Sequence, residues 1–350
     1  MEYYGTLGKA CDDKDILRKM FAYGMTGMRL NLAHQSLSEA SLELGRVFKA
    51  AEAEGVETEL LIDLQGPERR IGDLKKPLEV KEGHKIKLGI EEEVPLSPLV
   101  MEALEVGQEL LIDDGRVKLE VLKLQEGTVK GAPKGEQQLT TAVCKVLRGG
   151  RLISRKNITI VDEAMDAPTL TDADKKQLRL VKQYGVTGVM LPFVRGAGDI
   201  TLLKEELRKS DADDVRIFAK IESREGYEKI GEIVENSDMI VVARGDLGNA
   251  FPLWEVPRVQ KEIAQVCRHA GKPFLIATQF LHSMEHSPIP TRAEISDIYN
   301  AVQDGASALM LTGETAIGEY PVRAMRYLTK TAKTAMMTSD PKVKALLDME

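Results

Sequence analysis

Phe218-Ala219-Lys220-Ile221-Glu222 and, further on, Ile240-Val241-Val242-Ala243-Arg244-Gly245-Asp246 decide how this chain is read. Each is a short apolar run rich in β-branched residues, the pattern of a buried parallel strand, and each ends in charge. Lys220, Glu222 and Asp246 are therefore expected together at the mouth of a parallel sheet. One cation and two carboxylates in that position suit a divalent metal and an anionic substrate.

Outward from these two runs, strand alternates with helix along most of the sequence. Eight strands are expected: Tyr3–Leu7, Gly27–Leu32, Glu59–Leu64, Gly188–Phe193, Ile217–Ile221, Met239–Ala243, Phe274–Ala277 and Ala308–Leu311. Amphipathic helices are expected near Asp13–Tyr23, Ser38–Ala53, Asp174–Tyr184, Ile200–Lys209, Gly226–Glu235, Val256–Ala270, Ala293–Gln303 and Pro321–Ala335. Eight strand–helix units favour a closed (β/α)8 TIM barrel of the α/β class over an open sheet. Gly24, Gly55, Gly185, Gly271 and Gly305 sit just before the next strand, where a left-handed helix cap is wanted.

Between about Ile71 and Ile158 the helical period gives way to alternating runs such as Lys85-Ile86-Lys87-Leu88 and Arg116-Val117-Lys118-Leu119-Glu120-Val121. Turn signals at Asp113-Asp114-Gly115, Glu126-Gly127 and Gly149-Gly150 separate them. The expected organisation is a barrel over 1–70 and 159–337, a small all-β lid domain over 71–158 inserted after the third strand, and a C-terminal tail over 338–350. A domain at that place in the chain is suited to closing over a substrate.

Bulk properties narrow the class. The chain has 350 residues, 43% of them hydrophobic, and a formal net charge of -7 with basic and acidic residues mixed throughout. That offers no footprint for nucleic acid and no attraction to an anionic membrane. Its three cysteines, Cys11, Cys144 and Cys267, are far apart and form no CxxC pair, as in a reducing compartment. No signal sequence or transmembrane run is legible, so a cytoplasmic protein is expected. Walker A, GxGxxG and zinc spacings are missing.

In a TIM barrel the chemistry sits where strands end. Those ends carry Arg29, Asn31, Asp63, Lys220, Glu222, Asp246, Thr278 and Glu314. Each has a plainer alternative. Glu222 and Asp246 serve equally as ion-pair partners of Lys220 or Arg244. Lys220 is either an anion-stabilising cation or the buried partner of Glu222. Thr278 alone reads as a helix N-cap. The run Ala243-Arg244-Gly245-Asp246-Leu247-Gly248 is either a bare turn or a set of backbone N–H groups for an anion. His34 alone carries little, and His84, His269, His282 and His286 are expected on the surface. The residues by themselves indicate a metal-assisted enzyme acting on a small anion and leave the reaction open.

At these same residues the chain resembles the pyruvate kinase family. The resemblance is carried by Met28-Arg29-Leu30-Asn31 with His34, Leu61-Ile62-Asp63 with Gly66-Pro67-Glu68, Ala219-Lys220-Ile221-Glu222, Ala243-Arg244-Gly245-Asp246-Leu247-Gly248, Ala277-Thr278-Gln279, Pro290-Thr291-Arg292-Ala293-Glu294 and Leu311-Thr312-Gly313-Glu314-Thr315-Ala316. It implies phosphoryl transfer between phosphoenolpyruvate and ADP, giving pyruvate and ATP. It assigns Glu222 and Asp246 to Mg2+ or Mn2+ and makes Lys220 the catalytic cation. Arg29 and Arg70 would grip the transferring phosphate, with Gly245, Asp246 and Thr278 on the substrate carboxylate. Asn31 and Asp63 correspond to two potassium ligands, His34 and Arg70 lie on the nucleotide side, and Glu314 and Thr312 support the site. It also implies a homodimer through barrel helices around Glu294–Asp304.

Departures from the family pattern cluster on one side. Ala33 replaces a serine hydroxyl among the potassium ligands, and Leu64 and Gln65 replace a threonine and a lysine. Lys9 and Pro192 stand where proline and serine are usual, and Thr312 replaces a serine. The stretch Asn157–Leu170 keeps Asp166 and Pro168 but loses two glycine turns. The family's C-terminal allosteric domain has no counterpart, so kinase activity without effector control through such a domain is expected. With the nucleotide and potassium sides altered, three readings remain open. They are pyruvate kinase chemistry, another reaction in the metal–enolate pocket (oxaloacetate decarboxylation or aldol cleavage), and ligand binding without turnover.

Overall fold

The computed structural model describes residues 1–67, 69–113, 115–127, 138–161 and 167–337. The expectations for Glu68, Asp166 and the tail 338–350 thus lie outside the described residues. By internal contacts the chain forms two units. One comprises Met1–Gly66, Thr169–Leu247 and the stretch from Trp254 on, and the other comprises Pro67–Pro168 with Gly248–Leu253.

The first unit is the closed parallel barrel expected from the alternation. Its strands are β1 (Glu2–Thr6), β2 (Gly27–Asn31), β3 (Glu59–Asp63), β4 (Gly188–Leu191), β5 (Arg216–Ile221), β6 (Met239–Ala243), β7 (Phe274–Ala277) and β8 (Ala308–Met310). Each pairs with its neighbours in sequence, and β1 closes the ring on β8 with Tyr3 opposite Leu309. Most strands end one or two residues before the apolar run does, although Leu7, Leu32, Leu64 and Leu311 each still donate an N–H to a neighbouring strand.

Alternation along each strand sets what faces the axis. Tyr4, Leu61, Met190, Phe218, Leu275 and Met310 belong to one buried cluster inside the ring. Two glycines make room for its rings. A Cβ on Gly27 would lie 2.5 Å from Tyr4, and one on Gly188 would lie 2.6 Å from both Leu61 and Phe218. Tyr4 and Phe218 meet edge to face with centroids 6.4 Å apart, a favoured aromatic geometry. The amino-terminal end is plugged by charge. The Tyr4 hydroxyl donates to Glu2 and Glu59, and Arg216 bonds to both carboxylates and lies 4.9 Å over the Phe218 ring.

The helices Lys14–Ala22, Ser41–Ala53, Val256–His269, Arg292–Gln303 and Pro321–Ala335 fall within a few residues of their expected spans. The five glycines expected at left-handed caps all have positive φ, between 64° and 107°. Three local differences separate the observed elements from the expected ones. The expected helix Gly226–Glu235 is two, Arg224–Glu228 and Ile230–Asn236, meeting at Lys229 (ψ 19°). In place of Asp174–Tyr184 the helix is Asp172–Leu178: the Thr171–Asp174 capping box starts it two residues earlier, and it ends at Leu178. Ala243–Gly248 leads into a helix, Arg244–Ala250, and is not a bare turn.

The second unit is built on a six-stranded sheet in the order Ile158–Ile160, Glu109–Ile112, Val117–Gly127, Gln138–Arg148, Lys85–Gly89 and Val94–Pro95. A two-stranded sheet, Leu78–Val80 with Gly150–Leu152, accompanies it. Ile86, Leu88, Leu110, Val117, Leu119, Val121 and Cys144 pack into its own core. It is not wholly β: Ser97 caps a short helix, Pro98–Glu102, whose proline occupies the first turn. Among the described residues, no helix is long and apolar enough to cross a membrane.

Candidate functional site

The alternation that buries Leu61 and Phe218 carries on toward the carboxyl-terminal end of the barrel with charged residues in place of apolar ones. Asp63 follows Leu61 on β3, Lys220 follows Phe218 on β5, and Arg29 follows Gly27 on β2. Glu222 comes two residues after Lys220, just past its strand. A period of two therefore aims all four side chains at the same mouth.

They meet there. Arg29 donates from Nε and Nη2 to Asp63 Oδ2 at 2.9 and 2.6 Å, and from Nη1 to the Thr6 hydroxyl at 3.2 Å. Lys220 Nζ reaches both oxygens of Asp63 at 3.2 and 3.3 Å and lies 2.8 Å from Glu222 Oε1. Glu222 Oε2 accepts from the backbone N–H of Phe193 at 2.8 Å. Glu222 Oε1 is buried and makes no hydrogen bond, so its approach to Lys220 is ionic without donor alignment.

Burial pulls the Lys220 ammonium toward deprotonation, but the Asp63, Glu222 and Asp246 carboxylates outweigh it and hold the pKa above its ordinary value. Burial likewise pushes the Asp63 carboxyl up, and Lys220 with Arg29 overcomes this and sets it below the usual carboxylate range. Both groups are charged near neutral pH. Asp246 stands close enough to act on Lys220, in the first turn of the helix Arg244–Ala250.

Thr278 is not a helix N-cap. It follows β7 at φ 72°, and Gln279 after it has φ 57°. A β-branched residue in the left-handed region is an outlier costing about 1–3 kcal/mol, held only where its surroundings over-determine it. Here the Thr278 hydroxyl accepts from Gly245 N–H at 2.9 Å, and Arg244 donates to the Thr278 carbonyl from Nε (3.2 Å) and Nη2 (2.6 Å). Arg244 pairs with Asp297, at 2.7 and 2.8 Å, and not with Glu222. Of the plain ion-pair readings, the Lys220–Glu222 pair is present.

The remaining candidates divide. Glu314 is buried and accepts from the backbone N–H groups of Leu281 and Thr312, at 3.0 and 2.8 Å, so it shapes the loops after β7 and β8. Asn31 Oδ1 is taken by the Ala33 N–H at 3.1 Å. His34 is exposed beyond that turn, its N–H donating to Asn31 O at 3.2 Å. Arg70 belongs to the second unit, where Nη1 donates to Arg155 O at 2.7 Å and the backbone bridges Asn157. Among the described residues, no three His, Cys, Asp or Glu side chains gather as a metal-binding group.

Sequence reasoning missed two supports. Asp174 Oδ1 accepts from the N–H groups of Gln65 and Gly66, at 3.1 and 3.3 Å, fixing the loop after β3. The capping box Thr171–Asp174 was the signal for it. The other is Asp297, mid-helix, for which no local pattern exists.

A family model described as "Pyruvate kinase, barrel domain" matches residues 2–325. The chain is similar to the pyruvate kinase of Geobacillus stearothermophilus (36% identity over 93% of this chain and 55% of that one). It is likewise similar to those of Thermotoga maritima (36%, 94% and 70%) and Agrobacterium vitis (39%, 94% and 67%). It spans little more than half the length of the Geobacillus relative. Identity at this level across nearly the whole chain, on a barrel with Lys220, Asp63 and Glu222 at its mouth, is more than shared architecture. The chain belongs to the pyruvate kinase family.

Proposed function

We propose that this chain transfers a phosphoryl group between phosphoenolpyruvate and ADP, giving pyruvate and ATP. The observation that carries the proposal is Lys220: a largely enclosed ammonium, 3.2 Å from Asp63 and 2.8 Å from Glu222, at the barrel mouth. Phosphoryl transfer asks the protein for positioning and charge neutralisation more than for covalent chemistry. A preorganised cation supplies that without moving.

Each residue then has a role at its own atoms. Lys220 Nζ neutralises charge on the phosphoryl group in transit and on the enolate left behind. Arg29, oriented by Asp63 and Thr6, presents its guanidinium to the phosphate. The Thr278 hydroxyl and the backbone around Gly245 and Asp246 hold the substrate carboxylate.

The donor set fits a divalent ion. Glu222 Oε1 is a buried oxygen without a hydrogen bond, facing the Lys220 ammonium at 2.8 Å and open to a second cation. Glu222 and Asp246 would hold Mg2+ or Mn2+, which keeps much of its shell for substrate and water oxygens. When bound, the ion supplies positive charge against the substrate's carboxylate and enolate oxygen. The potassium site is incomplete. Asn31 Oδ1 and both oxygens of Asp63 are engaged, and Ala33 and Leu64 offer no side-chain oxygen.

A second reading rests on Leu64 and Gln65. With no side-chain cation at Gln65, the same cluster suits nucleotide-free reactions that pass through an enolate, such as oxaloacetate decarboxylation or an aldol cleavage releasing pyruvate. One assay separates them: pyruvate release coupled to lactate dehydrogenase, with phosphoenolpyruvate, ADP and Mg2+ or Mn2+, beside Lys220→Met. Turnover that needs ADP and disappears in the variant supports the kinase. Pyruvate made only from a keto acid without nucleotide supports the second reading, and silence with phosphoenolpyruvate in every metal overturns the first.

A further inference from the structure

Arg244 uses three edges of its guanidinium at once. Nε and Nη2 converge on the carbonyl of Thr278 at 3.2 and 2.6 Å, and Nη1 grips both oxygens of Asp297 at 2.7 and 2.8 Å. Its Cζ lies 4.4 Å from the centroid of the Phe280 ring, and the side chain is 12% exposed. These contacts link the end of β6, the loop after β7 and the helix Arg292–Gln303. The point they converge on is the left-handed pair Thr278 and Gln279.

That conformation leaves the Thr278 hydroxyl with a defined task. Its oxygen is occupied as an acceptor by the Gly245 N–H at 2.9 Å, so its own hydrogen is directed away from that contact. An anion beside Gly245 would receive it. Relaxing Thr278 to ordinary φ would swing the hydroxyl elsewhere. What prevents relaxation is the carbonyl, held by two convergent donors of a planar fork that is itself fixed by Asp297.

We propose that Arg244 is a positioning residue that, anchored by Asp297, holds Thr278 in the conformation that binds the carboxylate of the substrate. The proposal deepens the kinase reading and rests on it for the identity of the ligand. Arg244 touches no reacting atom in this scheme. Its loss weakens a contact made equally in ground and transition states, which raises KM and leaves kcat nearly unchanged. A Lys at 244 keeps the charge but cannot converge two donors on one carbonyl while gripping a carboxylate. A role that needed only positive charge would be rescued by Lys.

The test compares wild type, Arg244→Lys, Arg244→Gln, Asp297→Asn, Thr278→Ala and the double variant Arg244→Lys/Thr278→Ala. Two readouts are taken: KM and kcat for phosphoenolpyruvate, and calorimetric binding of oxalate, a planar dianion resembling the enolate, in the presence of Mn2+. Both Arg244 variants are expected to raise KM and weaken oxalate about tenfold, the worth of one charge-assisted contact, with kcat within about twofold. Asp297→Asn gives a smaller shift in the same direction. The double variant behaves like Thr278→Ala alone, because both act on one hydroxyl. Rescue by Lys, a loss confined to kcat, or full additivity in the double variant overturns the proposal. Wild type that ignores phosphoenolpyruvate yet binds oxalate defeats the kinase reading alone, and the oxalate series then decides the role of Arg244. Wild type that binds neither overturns both.

Discussion

Lys220 and Asp63 meet across the barrel mouth at 3.2 Å although a whole strand, β4, stands between theirs. Past the end of β4, the backbone N–H of Phe193 is given to Glu222, which holds that carboxylate against the same ammonium. Removing Lys220 therefore affects both activity and stability. Lys220→Met is expected to lower turnover at least about 10^2–10^3-fold, as loss of one preorganised charge-stabilising group does. It should also destabilise the fold by about 3–5 kcal/mol, because Asp63 and Glu222 lose a buried partner. Urea titration alongside the rate assay checks this, and a variant as stable as wild type would contradict the buried network.

The pH dependence of that network has a definite sign. Asp63 has a depressed folded pKa, so its contribution is complete above the ordinary carboxylate value of about 3.9 and is lost as pH falls through the folded pKa. Lys220 is the reverse. Its contribution is complete below about 10.4 and is lost as pH rises through its raised folded value. Asp63→Asn should thus be well below wild type in melting temperature at pH 7, with the gap narrowing as pH falls below the ordinary carboxylate value of about 3.9. Asp199, lowered by Arg195 and Thr169 against its own burial, keeps part of the acid slope in both proteins. A gap that stays constant from neutral pH to acid would refute the assignment.

At the opposite end of the barrel, fold and chemistry separate. Tyr4→Phe removes the hydroxyl that donates to Glu2 and Glu59. The expected cost is about 1–3 kcal/mol, with KM and kcat unchanged, since the charge there serves closure of the ring and not the mouth. Thermal unfolding and steady-state kinetics on the same preparation decide it.

Asp174 acts at a distance through backbone. Asp174→Ala loses the capping box and the acceptor for Gln65 and Gly66. A loss of about 1–2 kcal/mol is expected from the cap alone. The loop after β3 should also show faster amide hydrogen exchange at Gln65 and Gly66 than the barrel strands do. Unchanged exchange at those two amides would mean the loop is held by something else.

Monovalent cations offer a sharper contrast with the family. Since Asn31 and Asp63 are engaged and Ala33 and Leu64 bring no side-chain oxygen, replacing K+ by tetramethylammonium should leave the rate within about twofold. Chelating the divalent ion should abolish it. A strong, selective K+ activation would show that Arg29 and Lys220 yield Asp63 to the ion.

Much of this was legible in the sequence because short-range patterns encode it. Period two in Phe218–Glu222 gave both the strand and the face its charges take, and the capping glycines marked where helices hand over to strands. What stayed hidden was of another kind. Thr278 looks like a helix cap because its composition says nothing of φ, which is imposed by Arg244 from another strand's end. Asp297 sits mid-helix with no signature, its importance defined by a partner 53 residues away. The short helix Pro98–Glu102 escaped because it is too brief to show a period.

The ring closes by joining the first strand to the last. Beyond the ladder between β1 and β8, Thr315 Oγ1 accepts from Thr6 N–H at 2.8 Å and donates to Thr6 O at 3.0 Å, and Thr6 donates in turn to Leu311 O. The Thr6–Thr315 contacts span 309 residues of sequence. During synthesis β1 can find β2 almost at once, but its other edge has no partner until nearly the whole barrel has left the ribosome. Until then that edge is a row of open backbone groups, ready to pair with the wrong chain. The Thr6–Thr315 latch thus forms late in assembly, and the interval before it is when a nascent chain is exposed to aggregation and to exchange of a strand with a neighbour.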